Sequence, residues 1–273
     1  MAGRIPANPS LPVKTLYESC PLCDARQFAL VGEADCTLYP LYKPPLPTKL
    51  RWMQCGACKH VFTDGYWTPE ALALLFSATH PTQRVGSDVE NQRAISARMI
   101  EKVLPYRDSG SWLDVGFGNA SLLFTAREFG FQPVGLDLRA REVETLRKIG
   151  IPSHLADITT FETSERFAVV SLMDVLEHMP FPREGLRAAH RLLEPDGVLF
   201  LSMPNLDSDL WKLLDAGKAN PYWAEMEHHH NFGRSRLYSL LRESGFEPVR
   251  YGVAERYRVC MEVVARKTDE RAG

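Results

Sequence analysis

Between Ser111 and Gly245 short apolar runs alternate with amphipathic ones, and this alternation constrains the chain more than any other feature. "SWLDVGF" has the length and apolarity of a buried strand, and "ASLLFTAREFG" those of a helix ending at Gly130. The pair recurs as "PVGLDL" with "AREVETLRKIG" and as "FAVVSLMD" with "REGLRAAHRLL", before a further strand, "VLFLSMP". Strands this apolar are buried on both faces, so repeated βα units predict an α/β fold, a parallel sheet with helices on both sides. A helix over "VENQRAISARMIEKVL", with Ile95, Met99, Ile100 and Val103 on one face, opens the series and is closed by Pro105. A last helix, "SRLYSLLRESG", leads into strands around "FEPVRYGVA" and "YRVCMEVVARK". Only short turns join that final pair, so one of the two is expected to run antiparallel. With 273 residues, 45% of them hydrophobic, the chain has material for this core and for a small attached module.

The cysteines mark that module. Four of the six fall into two matched spacings, Cys20-Pro-Leu-Cys23 and Cys55-Gly-Ala-Cys58. A Cys-x-x-Cys knuckle points two sulfurs at one ion, and two knuckles complete the tetrahedral thiolate set that zinc prefers. A redox pair would need the end of a strand in a βαβ unit, which neither has. Four thiolates leave no open position, so the expected zinc is structural. Cys36 and Cys260 read as small buried residues, and His60 as a surface histidine. The proline-rich run from Tyr39 to Trp52 cannot be helical and reads as an extended loop or a pair of edge strands. "TPEALALLF" is a short capped helix with Pro69 at its first position, and the polar "SATHPTQRVGSD" is a linker or mobile loop. The expected domains are a four-cysteine, zinc-ribbon-like module over 1–67, a connecting helix and linker over 68–87, and the α/β domain over 88–273.

"LDVGFGNAS" turns from the first α/β strand into its helix through Gly116 and Gly118, and such turns let backbone approach a ligand. A nicotinamide or flavin fingerprint needs a third glycine, where this chain has Ala and Ser. Instead, Asp114-Val-Gly116-Phe-Gly118-Asn119-Ala resembles the first motif of class I S-adenosylmethionine-dependent methyltransferases. "GLDL" is similar to that family's second motif, with Asp137 where an acidic residue takes the ribose hydroxyls and Leu138 beside it. "LADIT" matches the third, with Asp157 at the adenine amino group and Ile158 next to it. "LMDVLEHMP" resembles the segment where Met173 and Asp174 line the cofactor, and "LLEPDGVLFLSMPN" the following turn and strand. The resemblance, over roughly residues 90 to 265, implies a Rossmann-like, seven-stranded, mostly parallel sheet and S-adenosyl-L-methionine as cofactor. The Cys-Pro-x-Cys pair ahead of it is similar to a subset of these methyltransferases that carry an N-terminal zinc module.

A hydroxyl acceptor must lose a proton, for which a histidine near neutral pH is the natural base. His178 in "DVLEH" and His228 and His229 in "EMEHHHN" are the candidates, with Asn205, Tyr222 and Trp223 in the expected acceptor wall. A metal-assisted variant would use Glu177, His178 and a later histidine. The reading is methyl transfer to a small-molecule acceptor, oxygen favoured over carbon. The alternatives are an RNA methyltransferase gripping RNA with the zinc module, and a non-catalytic scaffold. Lys plus Arg number 32 against 34 for Asp plus Glu, and this balance argues against nucleic acid and acidic membranes as partners. Without an apolar h-region at the N-terminus or a long apolar run, a cytoplasmic location is expected.

Overall fold

The computed structural model describes residues 13–75 and 81–268, so both ends and positions 76–80 of the expected linker lie outside it. The N-terminal part holds β1 (Lys14–Leu16), β2 (Phe28–Asp35), β3 (Lys49–Cys55), β4 (Val61–Thr63), β5 (Gly65–Trp67) and α1 (Pro69–Leu75). The α/β part follows with α2 (Val89–Val103), β6 (Ser111–Val115), α3 (Ser121–Glu128), β7 (Gln132–Asp137), α4 (Ala140–Lys148), β8 (Ser153–Leu155), β9 (Phe167–Met173), α5 (Pro182–Leu192) and β10 (Leu193–Pro204). It ends with α6 (Asp209–Ala216), β11 (His230–Asn231), α7 (Arg234–Glu243), β12 (Phe246–Val253) and β13 (Cys260–Lys267).

Seven strands form the main sheet in the order β12-β13-β10-β9-β6-β7-β8. Strands β10, β9, β6, β7 and β8 run parallel, and β13 is antiparallel to both β10 and β12. This is the Rossmann-like α/β fold expected, with the antiparallel strand identified as the last. Successive strand residues point to opposite faces. Trp112 and Val169 therefore join Met99, Ile100 and Leu122 in one core, while Leu113 and Val170 join Leu186, Leu192 and Leu241 in the other. Chain order reverses between β6 and β9, and the crevice outside the carboxyl ends there is where such sheets take ligands.

The N-terminal strands form a second sheet, β11-β4-β3-β2, and a two-stranded ribbon, β1-β5. Lys49–Cys55 is an interior strand between β4 and β2, where the prolines pointed to a loop or an edge. The last proline, Pro47, precedes the strand, and alternate residues Leu50 and Trp52 are buried. Strand β11 comes from the far end of the chain and closes this sheet, pairing His230 with Phe62 and Asn231 with Val61. Cys36 and Cys260 are buried as expected, but His60 is not on the surface: it is 1% exposed. Its Nε2 lies 2.9 Å from His230 Nδ1, its ring packs on Phe232, and burial holds the imidazole neutral in the core. Among the described residues no helix is long and apolar enough to cross a membrane.

Candidate active site

The β6–α3 turn is built from left-handed residues. Gly116 and Gly118 have φ of +65° and +52°, a conformation that favours glycine. A Cβ on Gly116 would meet Val175 Cγ2 at 2.9 Å, and one on Gly118 would meet Gln83 Oε1 at 2.6 Å. Ala120, at the N-cap position of α3, also has positive φ, +64°. Asp114 is buried at the end of β6 and accepts a 2.6 Å hydrogen bond from Ser171 Oγ, which Trp112 Nε1 in turn supports at 2.8 Å. Burial pushes the Asp114 carboxyl up to about 6.

Asp137, at the carboxyl end of β7, has both oxygens engaged by one arginine that the motifs do not mark. Arg139 donates from its backbone N and Nε to Oδ1 at 2.9 and 2.8 Å, and from a terminal nitrogen to Oδ2 at 2.6 Å. The same guanidinium reaches the carbonyls of Gln83 and Gly118. The segment before α2 lies across the turn: Asn119 donates to the Ser87 carbonyl, Gly86 N donates to the Asn119 carbonyl, and Val85 N donates to Glu142. These contacts tie the segment to Gly118 and Asn119, while Gly116 stays exposed. A cavity of about 590 Å³ opens near Ser111 and Gln132, at the amino ends of β6 and β7, away from it.

The other expected cofactor residues surround the same edge. Leu138 is 69% exposed beyond β7, and Ile158 is buried after β8. The Asp157 carboxylate is taken up locally, accepting from Thr159 N at 2.8 Å and Thr159 Oγ1 at 2.6 Å. Met173 ends β9, and Asp174 follows with φ of +57°, accepting from Ser202 Oγ at 2.7 Å.

Beyond β9 the histidines divide. The His178 and His228 rings stand edge to face with centroids 4.7 Å apart, and donor atoms of Glu177, His178 and His228 lie within 4.8 Å of one another. His178 Nδ1 is 3.0 Å from the Glu227 carbonyl, and burial drives its pKa down to about 3. His228 Nδ1 lies 3.0 Å from Glu225 Oε2, within ion-pair distance. Burial opposes charge on His228, yet Glu225, Glu177 and Glu227 prevail and push its pKa up to about 9. Glu177 is 1% exposed with neither oxygen hydrogen-bonded, and burial lifts it to about 8. His229 stands outside this group. Its backbone N donates to the Glu177 carbonyl at 2.8 Å, and its buried ring has neither nitrogen paired.

The N-terminal sheet packs on this wall. Tyr39 OH donates to the Glu227 carboxylate, and Trp52 and Trp67 Nε1 donate to the carbonyls of Trp223 and Met226 at 2.8 and 2.6 Å. Trp223 and Tyr222 also pack on Trp211, and Asn205 bonds Tyr251 OH at 3.2 Å. Nothing in the sequence marks Tyr39, Glu225 or Glu227 as neighbours of the histidines, since all three lie in irregular segments that carry no periodic pattern.

The cysteines meet across the two knuckles. Cys20 Sγ is 3.7 Å from Cys58 Sγ, and Cys23 Sγ is 3.5 Å from Cys55 Sγ. All four sulfurs lie within 4.8 Å of one another. A tetrahedron with metal–sulfur bonds of about 2.3 Å has edges of about 3.8 Å, so the thiol set fits one zinc ion.

A protein-family model described as "Methyltransferase domain" matches residues 89–251. The ubiquinone biosynthesis O-methyltransferase of Erwinia tasmaniensis is 33% identical over 113 residues, covering 38% of this chain and 46% of that protein. That of Pseudomonas paraeruginosa is 33% identical over 101 residues, covering 34% and 44%. The chain thus spans just under half the length of these curated relatives. Among solved structures, the Burkholderia thailandensis 1,6-didemethyltoxoflavin-N1-methyltransferase, with 1,6-didemethyltoxoflavin and S-adenosylhomocysteine bound, shares the fold at TM-score 0.54 and 19% identity, over 77% of this chain and 96% of that one. The magnesium protoporphyrin IX methyltransferase of Synechocystis shares it at TM-score 0.51 and 18% identity, over 66% and 84%. The matched segment spans more than half of the sequence, and the chain belongs to the methyltransferase-domain family.

Proposed function

We propose that the chain is an S-adenosylmethionine-dependent methyltransferase acting on a small-molecule acceptor, with oxygen favoured over carbon as the methylated atom. One observation carries this reading: the glycine turn at the β6/β9 switch point and the paired His178 and His228 rings lie off the carboxyl ends of the same sheet. The O-methyltransferase relatives support the choice of oxygen over the part of their length that is matched.

When bound, S-adenosylmethionine supplies a methyl group on a sulfonium, already activated for in-line displacement. The chain's residues then bind, align and exclude water. The turn from Gly116 to Asn119 offers backbone to the cofactor. Asp137 suits a ribose diol, since a carboxylate accepts two hydrogen bonds, and Arg139 must turn away to free it. Leu138, Asp157, Ile158, Met173 and Asp174 complete the cleft, with Asp114 held beneath the turn. His178, neutral at physiological pH, takes the acceptor's proton. His228, charged there, stabilises negative charge growing on the acceptor oxygen, and His229 backs the wall. Cys20, Cys23, Cys55 and Cys58 hold a structural zinc.

Calorimetric titration with S-adenosylhomocysteine, with reduced nicotinamide dinucleotide as control, tests the cofactor assignment. Micromolar binding of the first alone is expected, and equal or absent binding of both would overturn it. In an acceptor screen on planar and sugar-like alcohols, activity is expected to need no added magnesium. A strict magnesium requirement would instead assign Glu177, His178 and His228 to a divalent cation.

A further inference from the structure

Another cavity, about 320 Å³, lies between the second cysteine knuckle, the loop after β10 and the first turns of α7, and it is lined by Lys59, His60, Asp207, Asn231, Arg236 and Ser239 among others. Four buried polar atoms on these lining residues have no hydrogen-bond partner: His60 Nδ1, both amide atoms of Asn231, and Arg236 Nε. Asn231 is 1% exposed, so its amide is buried as deeply as a core leucine. Leaving such groups unpaired forfeits their hydration without return, and their convergence on one cavity calls for an occupant that pairs them.

The neighbouring groups define the occupant's chemistry. His60 Nε2 is committed to His230, and a terminal nitrogen of Arg236 is committed to Glu243 at 2.9–3.0 Å, which leaves His60 Nδ1 and Arg236 Nε for the cavity. Helix α7 begins at Arg234 behind Gly233, which has no side chain to cap it. The Asp207 carboxylate lies against this N-cap residue, so close that a Cβ on Gly233 would clash with both of its oxygens. The cavity therefore offers Lys59 and Arg236 Nε to a negative group, and Asp207 and the Asn231 carbonyl to a positive one. Its volume falls at the small end of ligand sites.

We infer that this cavity is a second binding site, separate from the cofactor cleft, for a small zwitterion of the α-amino-acid class. Its carboxylate faces Arg236 and Lys59, and its ammonium faces Asp207 and Asn231. The test is calorimetric titration of the full-length, zinc-loaded protein with each of the common L-amino acids, with acetate and methylamine as single-charge controls. At least one amino acid is expected to bind with a submillimolar Kd, and both controls at least tenfold more weakly. Ser239→Trp, at an exposed helix position that fills the cavity, and Arg236→Met are each expected to weaken binding at least tenfold with unchanged circular dichroism and Tm. Asp137→Ala is expected to leave it within twofold. No amino acid binding better than acetate, or affinity unchanged in Ser239→Trp, would overturn the assignment.

Discussion

Arg139 and Asp137 present the sharpest conflict at the scale of single residues. The carboxylate proposed to take a ribose diol is satisfied by its own neighbour two positions along. Cofactor must displace a guanidinium, so Arg139→Met is expected to tighten S-adenosylhomocysteine binding several-fold. Asp137→Ala should weaken it by about ten- to a hundredfold, the worth of hydrogen bonds to a charged group. Calorimetry on the two variants checks both, and no change in either would move the cofactor elsewhere. The histidine pair makes a second expectation. His178→Ala should lower kcat by about 10²–10⁴, the usual contribution of a positioned base. Because its pKa is held down to about 3, the rate should show no inflection near the ordinary histidine value. Activity should fall above about pH 9, where His228 loses its proton. A pH–rate profile with an acidic limb at about pH 6.5 would count against His178 as the base. At this scale the sequence marked candidates for the chemistry but not their partners. Asp137 and His178 stand in recognisable motifs, whereas Arg139, Tyr39 and Glu227 became visible only through what they touch.

Among elements, the two residues of β11 matter beyond their length. They follow His228 and His229 directly and pair with β4, so the sheet that contains the second knuckle also anchors the histidine segment. The proposed zinc therefore supports a site it does not enter. Stripping it with a thiol-specific reagent plus chelator should abolish methyl transfer while leaving S-adenosylhomocysteine affinity within about threefold, since folding of such small modules rests on their metal. Zinc release, activity and calorimetry on one sample check this. Activity persisting after complete zinc loss would uncouple the knuckles from the histidines. The long periodic elements of the α/β part were legible because each buries an apolar face at its own repeat. Strand β2 was not, because most of its residues are exposed and show no clean alternation. Strand β11 was not, because two residues carry no pattern at all.

The whole molecule places several ionisable groups where burial or charged neighbours change their protonation, and its stability should follow pH accordingly. Glu177 is raised to about 8 and His228 to about 9, so their contributions are full below the ordinary pKa of each group and are lost as pH climbs to those values. His178 and His230 are lowered to about 3, so theirs are full above the ordinary histidine pKa and are lost as pH falls to that value. Denaturation midpoints should therefore peak at about pH 6–7 and decline on both sides, and a monotonic rise to about pH 9 would contradict these directions. The contacts between the N-terminal sheet and the α/β part give a further expectation. Trp52 is fully buried and bonded to the Trp223 carbonyl, so Trp52→Ala should destabilise by about 3–5 kcal/mol, as large aromatic truncations do. Calorimetric scanning should show this as a lowered transition for both parts together, and a second, unshifted transition would mean that they melt independently.

The α/β class, the alternation of its long strands and helices, the matched cysteine knuckles and the glycine turn could all be read along the chain. Each rests on local physics: periodic apolar faces, knuckle spacing, and backbone that only small residues tolerate. Packing settled the rest: that β3 lies inside its sheet, that His60 is buried against His230, and that Arg139 sits on Asp137. It also brought His178 and His228 together while His229 turned aside. Those outcomes depend on contacts that fold geometry makes, most of them between segments far apart in the chain, and no local pattern encodes which distant surface a residue will face.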